Sequence, residues 1–153
     1  MTYPIRTERL AMRPVRRVDV DTVFAVNSHP PTVADVSWGH SSREDSERWV
    51  ERRIEDEPHL GFSMWAVELV ATTPIIGFCG FFAGDRAGRL ELGYVVYSDH
   101  WNHGYATEAA SAALATAWRA GYAVYATIRS TNDRSIAASV CSTQATSRTT
   151  GEP

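Results

Sequence analysis

The sequence predicts an α/β fold of the α+β type: a mixed, mainly antiparallel sheet with flanking helices. Three apolar runs in the middle, Phe62 to Val70, Ile75 to Ala83 and Arg89 to Tyr97, have the length and composition of strands. Only Thr72-Thr73-Pro74 and the residues from Gly84 to Gly88 separate them. Such connections are too short for a parallel crossover, so the three runs form an antiparallel meander. Segments with helical apolar spacing lie on both sides of this block.

In chain order, Glu8 to Val15 opens with apolar–polar alternation (Leu10 and Met12 against Arg9 and Arg13) and reads as a strand. Asp19 and Asp21 then open a helix carrying Val20, Val23, Phe24 and Val26, which stops near His29-Pro30-Pro31. Thr32 to His40 reads as a loop. Ser41-Ser42-Arg43-Glu44 is a capping-box signature for a second helix. Glu44 and Arg48 support that helix as a pair four apart, Trp49, Val50 and Ile54 form its apolar face, and Pro58 lies just past its end. After the meander, an Ala-rich helix runs from about Gly104 to Ala120 and stops at Gly121. Val124 to Arg129 is a further short strand, and Asp133 to Val140 begins a last helix.

A length of 153 residues fits one domain, assigned to residues 1–140. Residues 141–153 hold six Ser or Thr and only Cys141 and Ala145 as apolar residues, and are expected to be a disordered tail. With 44% hydrophobic and 22% charged residues, the remainder has enough apolar content for a packed core. A net charge of −3 argues against a nucleic-acid partner. The longest uncharged stretch, Leu69 to Gly84, is broken by proline and glycine, which argues against a membrane span. The opening six residues lack the apolar core of a signal peptide, and Cys79 and Cys141 make no disulfide framework; a cytoplasmic address is expected. All 15 basic side chains counted as Lys or Arg are arginines, which excludes Schiff-base and Walker-lysine chemistry.

The chemistry concentrates in Leu90 to Ala109, where a strand enters a short loop and then a long helix. The first N–H groups of a helix have no intrahelical partner and lie at the positive end of its dipole. Gly104 and Ala106 allow an anion to approach that backbone, and Thr107 adds a hydroxyl. His100 and His103 lack a third ligand at suitable spacing, so no metal is assigned. His29, His40 and His59 are read as solvated loop residues. Trp38 either lines a cleft or packs in the core.

The run Trp101-Asn102-His103-Gly104-Tyr105-Ala106-Thr107-Glu108-Ala109 resembles motif A of the GNAT N-acetyltransferases, and most nearly their RimJ/RimL-type subgroup, which acetylates ribosomal-protein N-termini. Four other parts of the chain agree in order. The stretch from Thr7 to Pro14 resembles the subgroup's opening strand. Ile76 to Gly80 and Glu91 to Tyr94 resemble its third and fourth strands, and Asn132 to Ile136 resembles the Asn-x-x-Ser segment opening its last helix. The resemblance covers roughly Thr7 to Ile136.

It implies that acetyl-CoA, as co-substrate, lies in a wedge between the fourth and fifth predicted strands. Its pyrophosphate would meet backbone amides from Asn102 through His103, Gly104, Tyr105 and Ala106 to Thr107, and its pantetheine arm the strand edge at Val95 and Val96. Asn132 and Ser135 would contact the cofactor or cap the last helix. A primary amine, on a protein N-terminus or a small molecule, would attack the thioester directly. Glu91 is the candidate base, its pKa raised by desolvation, or else a strand-edge carboxylate facing solvent. Asn102 stands where the family often has glycine and His103 where it often has Arg or Lys. Thr143-Gln144 occupy the place of the family's Gly-Phe, and the two strands that follow there in the family are expected to be missing. Three readings follow: an acetyl-CoA-dependent N-acetyltransferase, monomeric or homodimeric; an acyl-CoA-binding domain impaired in turnover; and an interaction domain using an exposed sheet edge.

Overall fold

A computed structural model describes residues 3–72, 74–84, 89–128 and 132–136. Its sheet has six strands in sequential order: β1 (Ile5–Arg6), β2 (Leu10–Pro14), β3 (Met64–Leu69), β4 (Ile75–Ala83), β5 (Arg89–Val96) and β6 (Ala123–Tyr125). All neighbours are antiparallel except β5 and β6, which run parallel with Arg89, Leu90 and Glu91 opposite Ala123, Val124 and Tyr125. The helices are α1 (Val20–Asn27), α2 (Pro30–Val33), α3 (Arg43–Leu60) and α4 (Tyr105–Arg119). This is the expected mixed, mainly antiparallel sheet with flanking helices. The predicted fourth and fifth strands are β5 and β6, because the two-residue β1 precedes them.

Strand alternation divides the core into two layers. Trp65, Val67, Phe81, Leu90 and Leu92 face α4, where Ala109, Ala110, Ala113 and Ala117 let that helix settle close to the sheet. Met64, Ala66, Phe78 and Val95 face α1 and α3 through Val23, Val26 and Val50. Gly77 is required between them: a Cβ there would collide with the Val95 carbonyl of the adjacent strand. Cys79 is fully buried, and burial pushes its thiol up to about 12, so it is chemically quiet.

Several local expectations need correction. Helix α3 continues through Pro58 to Leu60, and Gly61 at φ 72° ends it by donating its N–H to Glu57 O. The capping box is Ser42 with Asp45, one residue later than predicted, because Asp45 accepts the N–H groups of both Ser41 and Ser42. The Ser41 hydroxyl, which also donates to Asp45, together with these N–H groups draws the Asp45 carboxyl down to about 2. Arg48 accordingly pairs with Asp45, three residues back, in place of Glu44. Asp19 is the N-cap of α1, as expected, but its carboxylate does not cap the helix. It is buried, accepting both prongs of Arg13 and the Arg16 N–H. Pro30–Val33 form a short helix that starts at the prolines read as a helix stop and runs into the region read as loop. His59 belongs to α3, and His40 is half-buried, sharing a 2.8 Å hydrogen bond with Ser46 Oγ. The last predicted helix is present over 133–136; its continuation to Val140, the tail from residue 141 and Thr143-Gln144 lie outside the described residues.

Candidate functional site

β5 ends at Val96, and a turn of 3-10 helix, Ser98–His100, leads to the loop that opens α4. Two residues of that loop are left-handed, Asn102 at φ 63° and Gly104 at φ 77°. Asparagine tolerates this conformation better than other side chains, so it replaces glycine there at little cost. Gly104 is the N-cap of α4, and the first helical bond runs from Glu108 N to Gly104 O at 3.0 Å. The N–H groups of Tyr105, Ala106 and Thr107 therefore lack helical partners at the positive helix end. Gly104, Tyr105, Ala106 and Thr107 line a cleft of about 330 Å³, together with Val95 and Val96 from β5.

Hydrogen-bond alternation decides what β5 offers this cleft. Gly84 N donates to Arg89 O and Tyr97 N to Ile76 O, so the odd-numbered residues of β5 turn their backbone groups toward β4. The N–H and C=O of Val95 are thus directed at Phe78, whereas those of Tyr94 and Val96 turn to the open side. Pairing with β6 reaches only Glu91, and beyond it the two strands separate into a wedge. The Val96 carbonyl is already engaged, accepting the Trp101 indole N–H at 2.7 Å.

His103 donates Nδ1–H to the Trp101 carbonyl at 2.7 Å and stacks on Tyr105 with rings 8° from parallel. Asn132 Oδ1 accepts the Ser135 N–H at 3.0 Å, so its side chain caps the helical turn at 133–136 while lining the cleft. Arg134 spans the cleft rim, 3.9 Å from the Trp101 ring centroid and 3.7 Å from Asp35.

Glu91 lies in a second cleft of about 370 Å³, walled by Trp38 and Phe82, whose rings are 5.6 Å apart. Glu91 is half-buried, beside Phe82 in the register of β4 and β5. The two clefts share Asp35, Val36, Tyr94, Asn132 and Ser135. Tyr94 donates its phenol to Ser135 O at 3.2 Å, and burial raises its pKa so that it keeps its proton. The site thus consists of a helix N-terminus with unpartnered backbone N–H groups, an open strand edge, and a carboxylate reached from another side, with Tyr94 between them.

The acetyltransferase (GNAT) domain family matches residues 9–140, which include both clefts. The chain belongs to the GNAT acetyltransferase family. Among curated relatives, YkkB of Bacillus subtilis (strain 168) is 30% identical over 110 residues, covering 71% of this chain and 64% of YkkB. The chain therefore spans less than two thirds of the length of that relative. Among solved structures, a GNAT acetyltransferase from Bacillus anthracis superposes with a TM-score of 0.79 at 22% identity, over 90% of this chain and 80% of that one. RimL, a ribosomal L7/L12 α-N-protein acetyltransferase solved with coenzyme A, superposes with a TM-score of 0.76 at 16% identity, over 86% and 77% of the two chains. These structural likenesses establish the GNAT fold.

The structure brings Asn102, Gly104, Tyr105, Ala106, Thr107, Asn132 and Ser135 to one cleft and sets Glu91 in the other. His103 belongs to the same loop with its ring outside the cleft lining, against Tyr105. Sequence reasoning missed Asp35 and Tyr94 at the junction. Tyr94 stood within the strand-four resemblance, but only the register shows which cleft it serves. Among the described residues no group of three or more His, Cys, Asp or Glu could hold a metal, and no helix is long and apolar enough to cross a membrane.

Proposed function

We propose that this chain transfers an acetyl group from acetyl-CoA to a primary amine, with the reaction at the junction of the two clefts. The supporting observation is the loop at Asn102 and Gly104, which aims the free N–H groups of α4 into a cleft beside the open edge of β5. Those amides suit a pyrophosphate. The edge at Tyr94 and Val96 suits the amides of a pantetheine arm. Family membership supports acetyl transfer as the reaction class.

The amine enters from the cleft holding Glu91, and its nitrogen bonds to the thioester carbonyl carbon as the C–S bond breaks. Glu91 takes the proton released by the amine, directly or through one water. Tyr94, protonated at the junction, supplies a proton to the departing thiolate. Asp35 and Glu91 make the acceptor cleft suitable for an ammonium group before its proton is lost. The acceptor is an α-amine of a polypeptide, as the RimJ/RimL-type resemblance suggests, or a small-molecule amine.

Calorimetric titration with acetyl-CoA, desulfo-CoA and adenosine diphosphate tests the reading. One-site saturable binding is expected for all three, and with acetyl-CoA alone, acetyl transfer to members of an amine panel. A folded sample that fails to bind overturns the proposal, and binding without transfer leaves an acyl-CoA-binding domain.

A further inference from the structure

The loop from Trp101 to Glu108 holds no arginine, and its one carboxylate, Glu108, sits in the first turn of the helix that faces the cofactor cleft. A lone carboxylate there would repel a phosphate group bound at the same terminus. Glu108 is not alone. Its Oε1 accepts Thr7 Oγ1 and the Arg9 N–H, and its Oε2 accepts Arg9 Nε at 2.7 Å and Arg9 Nη2 at 2.6 Å. Burial pushes the Glu108 carboxyl up, but the bonds from Thr7 and Arg9 outweigh it and hold it below the usual range.

The same guanidinium also grips the loop. Arg9 Nη1 donates to His103 O at 2.9 Å, Nη2 lies 3.5 Å from where a Gly104 Cβ would stand, and the guanidinium carbon is 4.8 Å from the Tyr105 ring centroid. One side chain thus bonds the residue before Gly104 and packs over the ring of the residue after it. Its backbone is tied to the sheet, because Arg9 O accepts the Val70 N–H at 3.0 Å.

We propose that Arg9 and Glu108 form a positioning pair that fixes the anion-binding loop for the phosphates of the cofactor. This rests on the acetyl-CoA reading above. Glu108 aligns the guanidinium by a two-point contact, and the guanidinium engages the His103 carbonyl and the Tyr105 ring on either side of Gly104, so that the α4 amides are preorganised. Neither residue needs to touch the reacting atoms.

The test measures dissociation constants of acetyl-CoA and of S-acetylpantetheine, which lacks phosphates, for wild type, R9Q, R9K, E108Q and R9Q/E108Q. Each of R9Q and E108Q is expected to weaken acetyl-CoA about tenfold, with the double variant no weaker than R9Q alone. S-acetylpantetheine should stay within about twofold of wild type in every variant. R9K, which keeps charge but loses the fork, should fall between wild type and R9Q. Tighter acetyl-CoA binding by E108Q would show that Glu108 only repels the ligand, and would overturn the proposal. Equal weakening of both ligands would overturn it as general structural damage. Wild-type binding of acetyl-CoA with no change in R9Q overturns this inference alone, whereas no binding by wild type overturns it together with the functional reading.

Discussion

The indole N–H of Trp101 donates to the Val96 carbonyl across 2.7 Å, tying the last residue of β5 to the loop that opens α4. The bond closes one of the two strand-edge carbonyls that otherwise face the cleft, and fixes the angle at which strand passes into helix. Trp101 also carries Arg134 over its ring, so one side chain connects β5, the loop that opens α4 and the segment at 133–136. W101F keeps an aromatic face but removes the donor. It should lower unfolding free energy by about 1 kcal/mol, the usual net worth of such a bond. Urea denaturation measures that loss, and acetyl-CoA titration should show weakening of about threefold or more, because the Val96 carbonyl is then free to move.

A substitution at Glu91 tests whether the proposed chemistry separates from cofactor binding. It lines the second cleft and not the one formed by the α4 terminus. E91Q retains the size and hydrogen-bonding reach of the side chain while removing its capacity to take a proton. Turnover should fall at least about tenfold, with acetyl-CoA affinity within about twofold of wild type. Unchanged turnover in a steady-state assay would remove Glu91 from the reaction.

Asn102 and Gly104 make an internal comparison, since both are left-handed in the same loop. The space around a Gly104 Cβ is open except for Arg9 Nη2 at 3.5 Å, so G104A would be penalised mainly through its backbone conformation. A loss of about 1–2 kcal/mol is expected. N102G should be neutral to within about 0.5 kcal/mol, whereas N102V, with a β-branched side chain at positive φ, should cost about 1 kcal/mol or more. Chemical denaturation of the three variants distinguishes this from a loop in which both positions tolerate any residue.

The parts of this fold that were legible in the sequence are those with local signals. The meander β3–β5 showed itself through turns too short to cross over, and α4 through small residues bounded by Gly104 and Gly121. β1 gave no signal, because two residues carry no periodicity and its existence depends on pairing with Ala11 and Met12. Pro58 misled because a proline in the last turn removes only one helical donor, while the left-handed Gly61 sets the actual end. At the site, the loop residues 102–107 were readable from one contiguous segment. The Arg9–Glu108 pair was not, since its members are 99 positions apart and only the closed sheet brings them together. Nor was the division of backbone groups between Val95 and its neighbours, which depends on a register that only the formed ladder defines.

His40 provides the pH dependence. Its ring lies edge-on to Trp49 at 6.0 Å, shares a hydrogen bond with buried Ser46, and has Asp45 nearby. Burial lowers its pKa below 6.5, and Asp45 only partly opposes that effect. Above the unfolded-state value both states carry a neutral ring, so His40 contributes no pH-dependent term. As pH falls below about 6.5, the unfolded chain takes up the proton first, and stability declines until the folded ring itself titrates. Replacing His40 by Gln keeps an amide within reach of Ser46 but removes the titration. Thermal midpoints measured from about pH 7.5 down to about pH 5 should therefore fall less steeply in H40Q than in wild type. Parallel profiles would mean that the ring is protonated in the fold as readily as in the unfolded chain.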